Sequence, residues 1–94
     1  MKNLTAKHVT IDVYGLVQGV GFRYMTFTYA QKYGIVGSVA NQSDGSVHIE
    51  AQGPTEQLMA FMEVIKRGPS QFAHVNHIEV KEQPLDQYSK FSIQ

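Results

Sequence analysis

The chain has 94 residues, with eight basic and eight acidic side chains, four histidines and no cysteine. A chain of this length supports one domain with one modest core. Zero formal charge excludes the strong positive field of a general nucleic-acid or anionic-membrane binder, and the lack of cysteine excludes disulfides, thiolate nucleophiles and thiolate metal sites.

Residues 1–7 are polar and expected to be frayed, without the apolar run of a signal peptide. No stretch approaches the ~20 apolar residues of a membrane span, so a soluble, cytoplasmic protein is expected. From His8 to Tyr14 the residues alternate strictly, placing Val9, Ile11 and Val13 on one face of a first strand. A turn follows with glycines at 15, 19 and 21. Phe22, Met25, Thr26, Tyr29, Ala30 and Tyr33 then recur at helical spacing, and Gly34 falls where a left-handed cap would end the helix.

Ile35 to Gln42 is short and β-branched, and Asn41-Gln-Ser-Asp-Gly45 supplies a hairpin turn. Val47, Ile49 and Ala51 alternate with His48, Glu50 and Gln52 in a third strand. Gly53-Pro54 opens a second helix, with Pro54 expected at its first position. Leu58, Phe61, Met62 and Ile65 form its buried stripe, and Lys66-Arg67-Gly68-Pro69 ends it. Val75 to Glu82 alternates around Ile78 and Val80, Pro84 breaks the run, and Phe91 and Ile93 mark a short last strand.

This order of strand, helix, strand, strand, helix, strand predicts a two-layer α/β (α+β) sandwich of the ferredoxin-like, split βαβ kind. It has a mainly antiparallel sheet with two helices on one face, and residues 1–94 form a single domain. Right-handed crossovers make the first two strands parallel with the third between them. The turn after Tyr14 and the residues around Asn41 then share one sheet edge, about two strand spacings or ~9 to 10 Å apart.

At that edge Arg23 draws attention. A cation in the first turn of a helix opposes the dipole at a cost of about 0.3 to 1 kcal/mol, and an anionic ligand would explain it. Side chains lean toward the helix N-terminus, so the guanidinium would return over the glycine turn, where backbone N–H groups converge. No Gly-Lys-Ser or Gly-Lys-Thr follows, so this is not a nucleotide phosphate loop. A plain surface arginine satisfies the same spacing, and Asn41 taken alone reads equally as a turn former. His8, His48, His74 and His77 are not spaced as ligands from one element and read as solvated or structural. Phe22, Tyr29 and Tyr33 read as core.

The run Val13-Tyr-Gly-Leu-Val-Gln-Gly-Val-Gly-Phe-Arg23 resembles the first signature of the acylphosphatase family. Gly37-Ser-Val-Ala-Asn41 with Asp44-Gly45, Val47 and Gly53 resembles the second, at the family spacing. Gly68-Pro69, Ala73, Val75, Phe91 and Ile93 extend the likeness along nearly the whole chain. It departs at Ser38, where the family usually carries a bulky aromatic.

The resemblance implies hydrolysis of a carboxyl phosphate to a carboxylate and inorganic phosphate, without metal or cofactor. It implies that Arg23 and the backbone N–H groups of Gly15, Leu16, Val17, Gln18, Gly19 and Val20 bind the phosphoryl oxygens, while Asn41 orients the attacking water. A small acyl phosphate is the expected partner of a monomer, with neither nucleic acid nor membrane involved. The alternative on the same fold is a non-catalytic module binding phosphate or carbamoyl phosphate.

Overall fold

The computed structural model describes residues 5–94. The alternation of the first strand builds β1 (Ala6–Leu16), followed by α1 (Phe22–Tyr33), β2 (Val36–Asn41), β3 (Val47–Pro54), α2 (Thr55–Arg67), β4 (His74–Gln83) and β5 (Phe91–Ile93). The strands form one sheet in the order β4-β1-β3-β2-β5. β1 pairs antiparallel with β3 and β4, β2 pairs antiparallel with β3, and only β5 runs parallel to its neighbour, β2. β1 and β2 are therefore parallel with β3 between them, and the architecture is the ferredoxin-like sandwich.

Inward-facing Ile11, Val13, Val39, Val47 and Ile49 are fully buried beneath Phe22 and Ala30 of α1 and Leu58, Phe61 and Ile65 of α2. Burying side chains of this size stabilises by about 1.5 to 3 kcal/mol each, before the entropy of ordering them is subtracted. β5 closes the end of this core with Phe91, whose ring meets Phe61 edge-on at 6.3 Å and Phe27 at 6.5 Å. Gly34 ends α1 in the left-handed conformation, as its position predicts. Ser38 faces away from the helices, opposite Glu50 and Ser92, so the missing aromatic leaves no gap in the core.

Four details differ from the sequence reading. Ala6 and Lys7 are not frayed, because they pair with Pro54 and Gly53; the rest of that expectation concerns residues 1–4, outside the described residues, and Thr5, whose carbonyl accepts from the Thr55 N–H at 2.9 Å. Pro54 caps α2 rather than starting it, since it still belongs to β3 and the helix begins at Thr55. Met62 packs against the core only partly buried, while Val64, which the spacing leaves out of the stripe, is buried. Val80 lies opposite Ile11 yet is 40% exposed, because β4 is an edge strand that the helices cover incompletely.

At the far end of β1 the chain turns tightly against β4, and the register shifts between Tyr14 and Gly15. Gly15 has φ +138°, and a Cβ there would lie 2.1 Å from the His74 carbonyl oxygen. Gly15→Ala should therefore cost about 2 kcal/mol or more, read as a lower denaturant midpoint in equilibrium unfolding. Stability within error of the parent would show that β1 and β4 can separate there without loss.

Candidate active site

The loop between β1 and α1 is anchored at its start by Val17, which is buried in the core. Gly19 (φ +74°) and Gly21 (φ +78°) take left-handed conformations. Nothing lies within 4 Å of where a Cβ at Gly19 would stand, so there the backbone angle rather than space calls for glycine. Gly21 is the N-cap of α1. No side chain caps this helix, and its first turn carries no acid. Since the Met25 N–H closes the first bond, to the Gly21 carbonyl at 3.1 Å, the N–H groups of Phe22, Arg23 and Tyr24 face out of the helix end. That terminus is suited to an anion.

Two side chains hold the loop from opposite sides. Gln18 Nε2 donates to the Gln42 and Ser46 carbonyls, each at 2.8 Å, tying the loop to the β2–β3 turn. Ser70 Oγ donates to the Val20 carbonyl at 2.6 Å, tying it to the segment between α2 and β4. The β2–β3 turn is itself braced by Asp44, whose Oδ1 accepts from the Ser46 N–H at 2.9 Å and from its hydroxyl. These bonds hold the Asp44 carboxyl below its usual range, the Ser46 hydroxyl bond contributing most. Asn41, the last residue of β2, lies opposite Val47 just before this turn.

Arg23 and Asn41 line one open cavity of about 270 Å³. Val17, Gly19 and Gly21 form its floor on the loop side, Phe22 and Tyr24 belong to α1, and Ile93 comes from β5. Arg23 Nη1 donates to the Gln94 carbonyl at 2.9 Å, and Gln94 N–H donates to the Val39 carbonyl at 2.8 Å, so the guanidinium is steadied from the β2 side. The other residues predicted for the cradle sit differently. Gly15 and Leu16 continue β1 opposite Val75 and His74, Gln18 turns its side chain toward the β2–β3 turn, and Val20 lines a neighbouring groove. Gly21 and Tyr24, absent from the sequence-derived set, line the cavity.

The outer face of the sheet carries a polar network that residue spacing did not reveal. His48 bridges Asp12 (Nδ1 to Oδ1, 2.7 Å) and Glu50 (Nε2 to Oε2, 2.6 Å). Glu50 also meets His8 at 2.7 Å, and the other ring nitrogen of His8 faces the Pro84 carbonyl at 2.8 Å. His8 is only 4% exposed, structural as predicted but held by Glu50 of β3 and by Pro84 just beyond β4. Gln42 Nε2 donates to Asp12 at 3.1 Å, which joins the network to the turn that follows Asn41. Burial alone would lower the His48 pKa, but the hydrogen bonds and charges of Asp12 and Glu50 outweigh it, and the net shift is upward.

Fold and cavity together define a small α+β sandwich in which one arginine and one asparagine line a shared cavity at an uncapped helix N-terminus. The family model described as Acylphosphatase matches residues 9–93, and the chain belongs to the acylphosphatase family. An acylphosphatase of Oceanobacillus iheyensis is 47% identical over 88 residues, covering 93% of this chain and 97% of the relative. The crystal structure of acylphosphatase from Bacillus subtilis superposes with a TM-score of 0.90 at 43% identity, over 94% of this chain and 98% of that one. Full-length HypF in its phosphate- and nucleotide-bound form matches at a TM-score of 0.91 and 34% identity, over 99% of this chain but 12% of that one. The chain is an enzyme that hydrolyses the carboxyl–phosphate bond of acyl phosphates.

Because folding raises the His48 pKa, its stabilising contribution is complete below the unfolded value of about 6.5 and is lost as pH rises through the higher folded value. Unfolding midpoints should fall on the alkaline side of neutrality in the parent, and this slope should flatten in His48→Gln. Parallel pH profiles for the two proteins would remove His48 from the account.

Proposed function

We propose that catalysis is direct attack of water on the phosphorus, with the phosphoryl group seated over the N-terminus of α1. Arg23 and the backbone N–H groups of the loop bind its oxygens, and Asn41 orients the water. The observation that carries this reading is the shared cavity, in which Arg23 and Asn41 face the same space at the uncapped helix end.

The chemistry asks little of acids and bases. The leaving carboxylate has a reference pKa of about 4, so it departs without a proton at neutral pH. The water oxygen forms a bond to phosphorus as the bond to the acyl oxygen breaks, and that electron pair leaves on the carboxylate. Among the described residues no histidine and no acidic side chain lines the cavity, so a phosphoryl oxygen is left to accept the water proton. What remains is to position water and to stabilise a loose, charge-spread transition state, which fixed donors do well. A guanidinium fork suits this better than an ammonium. Asn41 can accept from water through Oδ1 while its amide donates toward the phosphoryl group. Among the described residues no helix is long and apolar enough to cross a membrane. With zero net charge and a small self-contained core, the chain works as a cytoplasmic monomer of one domain, on small acyl phosphates and without nucleic acid.

The likeness to a short part of HypF keeps one second reading, a module that binds an acyl or carbamoyl phosphate without turning it over. Phosphate release from acetyl phosphate by the purified protein separates the two. Arg23→Ala should lower turnover by about 10²- to 10³-fold, with Arg23→Lys a poor replacement; full activity in Arg23→Ala would overturn the assignment. Asn41→Ala should lower kcat while leaving competitive inhibition by inorganic phosphate nearly intact. The opposite pattern, weaker phosphate binding with kcat retained, would make Asn41 a phosphate ligand instead.

A further inference from the structure

We propose that the acyl group of the substrate lies in an apolar groove beside the catalytic cavity, so that the enzyme favours acyl phosphates with extended aliphatic or aromatic chains over acetyl phosphate. The inference rests on the hydrolytic reading of the cavity and specifies its substrate. The groove, about 500 Å³, runs between the start of α1 and the segment joining α2 to β4. Val20, Tyr24, Met25, Pro69 and Phe72 form its walls, and none of its lining residues is charged. Tyr24 and Phe72 are 64% and 67% exposed, an unusual amount of aromatic surface to leave in water along one short rim.

Three observations point to the acyl group as its occupant. The groove adjoins the catalytic cavity, with Gly21 and Tyr24 lining both. In-line displacement puts the leaving group across the phosphorus from the attacking water. Asn41 approaches from β2, so the leaving oxygen faces the opposite flank of the loop, toward β4 in the sheet order and toward the segment that carries Phe72. Finally, that segment is fastened to the cradle: Ser70 Oγ donates to the Val20 carbonyl at 2.6 Å and accepts from the Phe72 N–H at 3.2 Å. The groove wall is therefore tied to the loop proposed to hold the phosphoryl group. A groove without charge offers nothing to a second phosphate but suits methylene or aryl surface.

The test is a kinetic series of acetyl, butanoyl and hexanoyl phosphate, with benzoyl phosphate as the aromatic member. Each methylene that enters the groove should raise kcat/KM about fourfold, so hexanoyl phosphate should exceed acetyl phosphate by at least tenfold. Phe72→Ala should shrink that ratio to within about threefold, and Phe72→Trp should restore it. The inhibition constant of inorganic phosphate, measured on each variant, reports whether the cradle is intact. A flat series in the parent, with acetyl phosphate hydrolysed, overturns the groove and leaves the hydrolytic reading standing. A steep series that survives Phe72→Ala with phosphate inhibition unchanged also overturns it. Failure to hydrolyse any member sinks both.

Discussion

The site depends on β3 lying between β1 and β2 and pairing antiparallel with each. Val47 faces Val13 on one side and Asn41 on the other, so Asn41 is level with the end of the inward-facing run of β1. That single register places the β1–α1 loop and the end of β2 side by side. The same alternation that buries Ile11, Val13, Val39 and Ile49 thus also sets where Asn41 stands. A slip of one residue would turn the apolar set to solvent as well as move Asn41, so the core enforces the geometry of the site.

Register brings the two halves of the site close, and neutral side chains then hold them. The Gln18 amide reaches two carbonyls of the β2–β3 turn, and the Ser70 hydroxyl reaches the far end of the loop. Fixing the loop with uncharged donors leaves Arg23 as the charged side chain among the described residues that line the cavity. Asp12 and Glu50 lie on the other face of the sheet, where they are matched by His48 and His8. Gln42 connects that charged face to the turn without bringing a charge into the site.

Much of this was legible in the residues because the signals were local. Strict alternation marked β1 and β3, and helical spacing with Gly34 marked α1 and its end. The family signatures and crossover handedness brought Arg23 and Asn41 to one edge. What escaped was whatever depends on a partner distant in sequence. Nothing local to Gln18 shows that two carbonyls 24 and 28 residues away will meet its amide. His48 looked like one wet residue of a strand, because its partner Asp12 comes from another strand. Nothing near Ser70 in sequence shows that its hydroxyl will meet the Val20 carbonyl, 50 residues away. Gly15 is read from the sequence as part of the glycine turn, and nothing local shows that its missing Cβ is also needed for close approach to His74.

The hydrogen bond from Arg23 to Gln94 spans 71 positions of the chain, and it forms only when β5 has settled beside β2. The same short strand brings Phe91 onto Phe61 and Phe27, where it closes the aromatic core. Stability and aim are thus carried by one piece of chain: whatever loosens β5 releases the guanidinium and opens the core together.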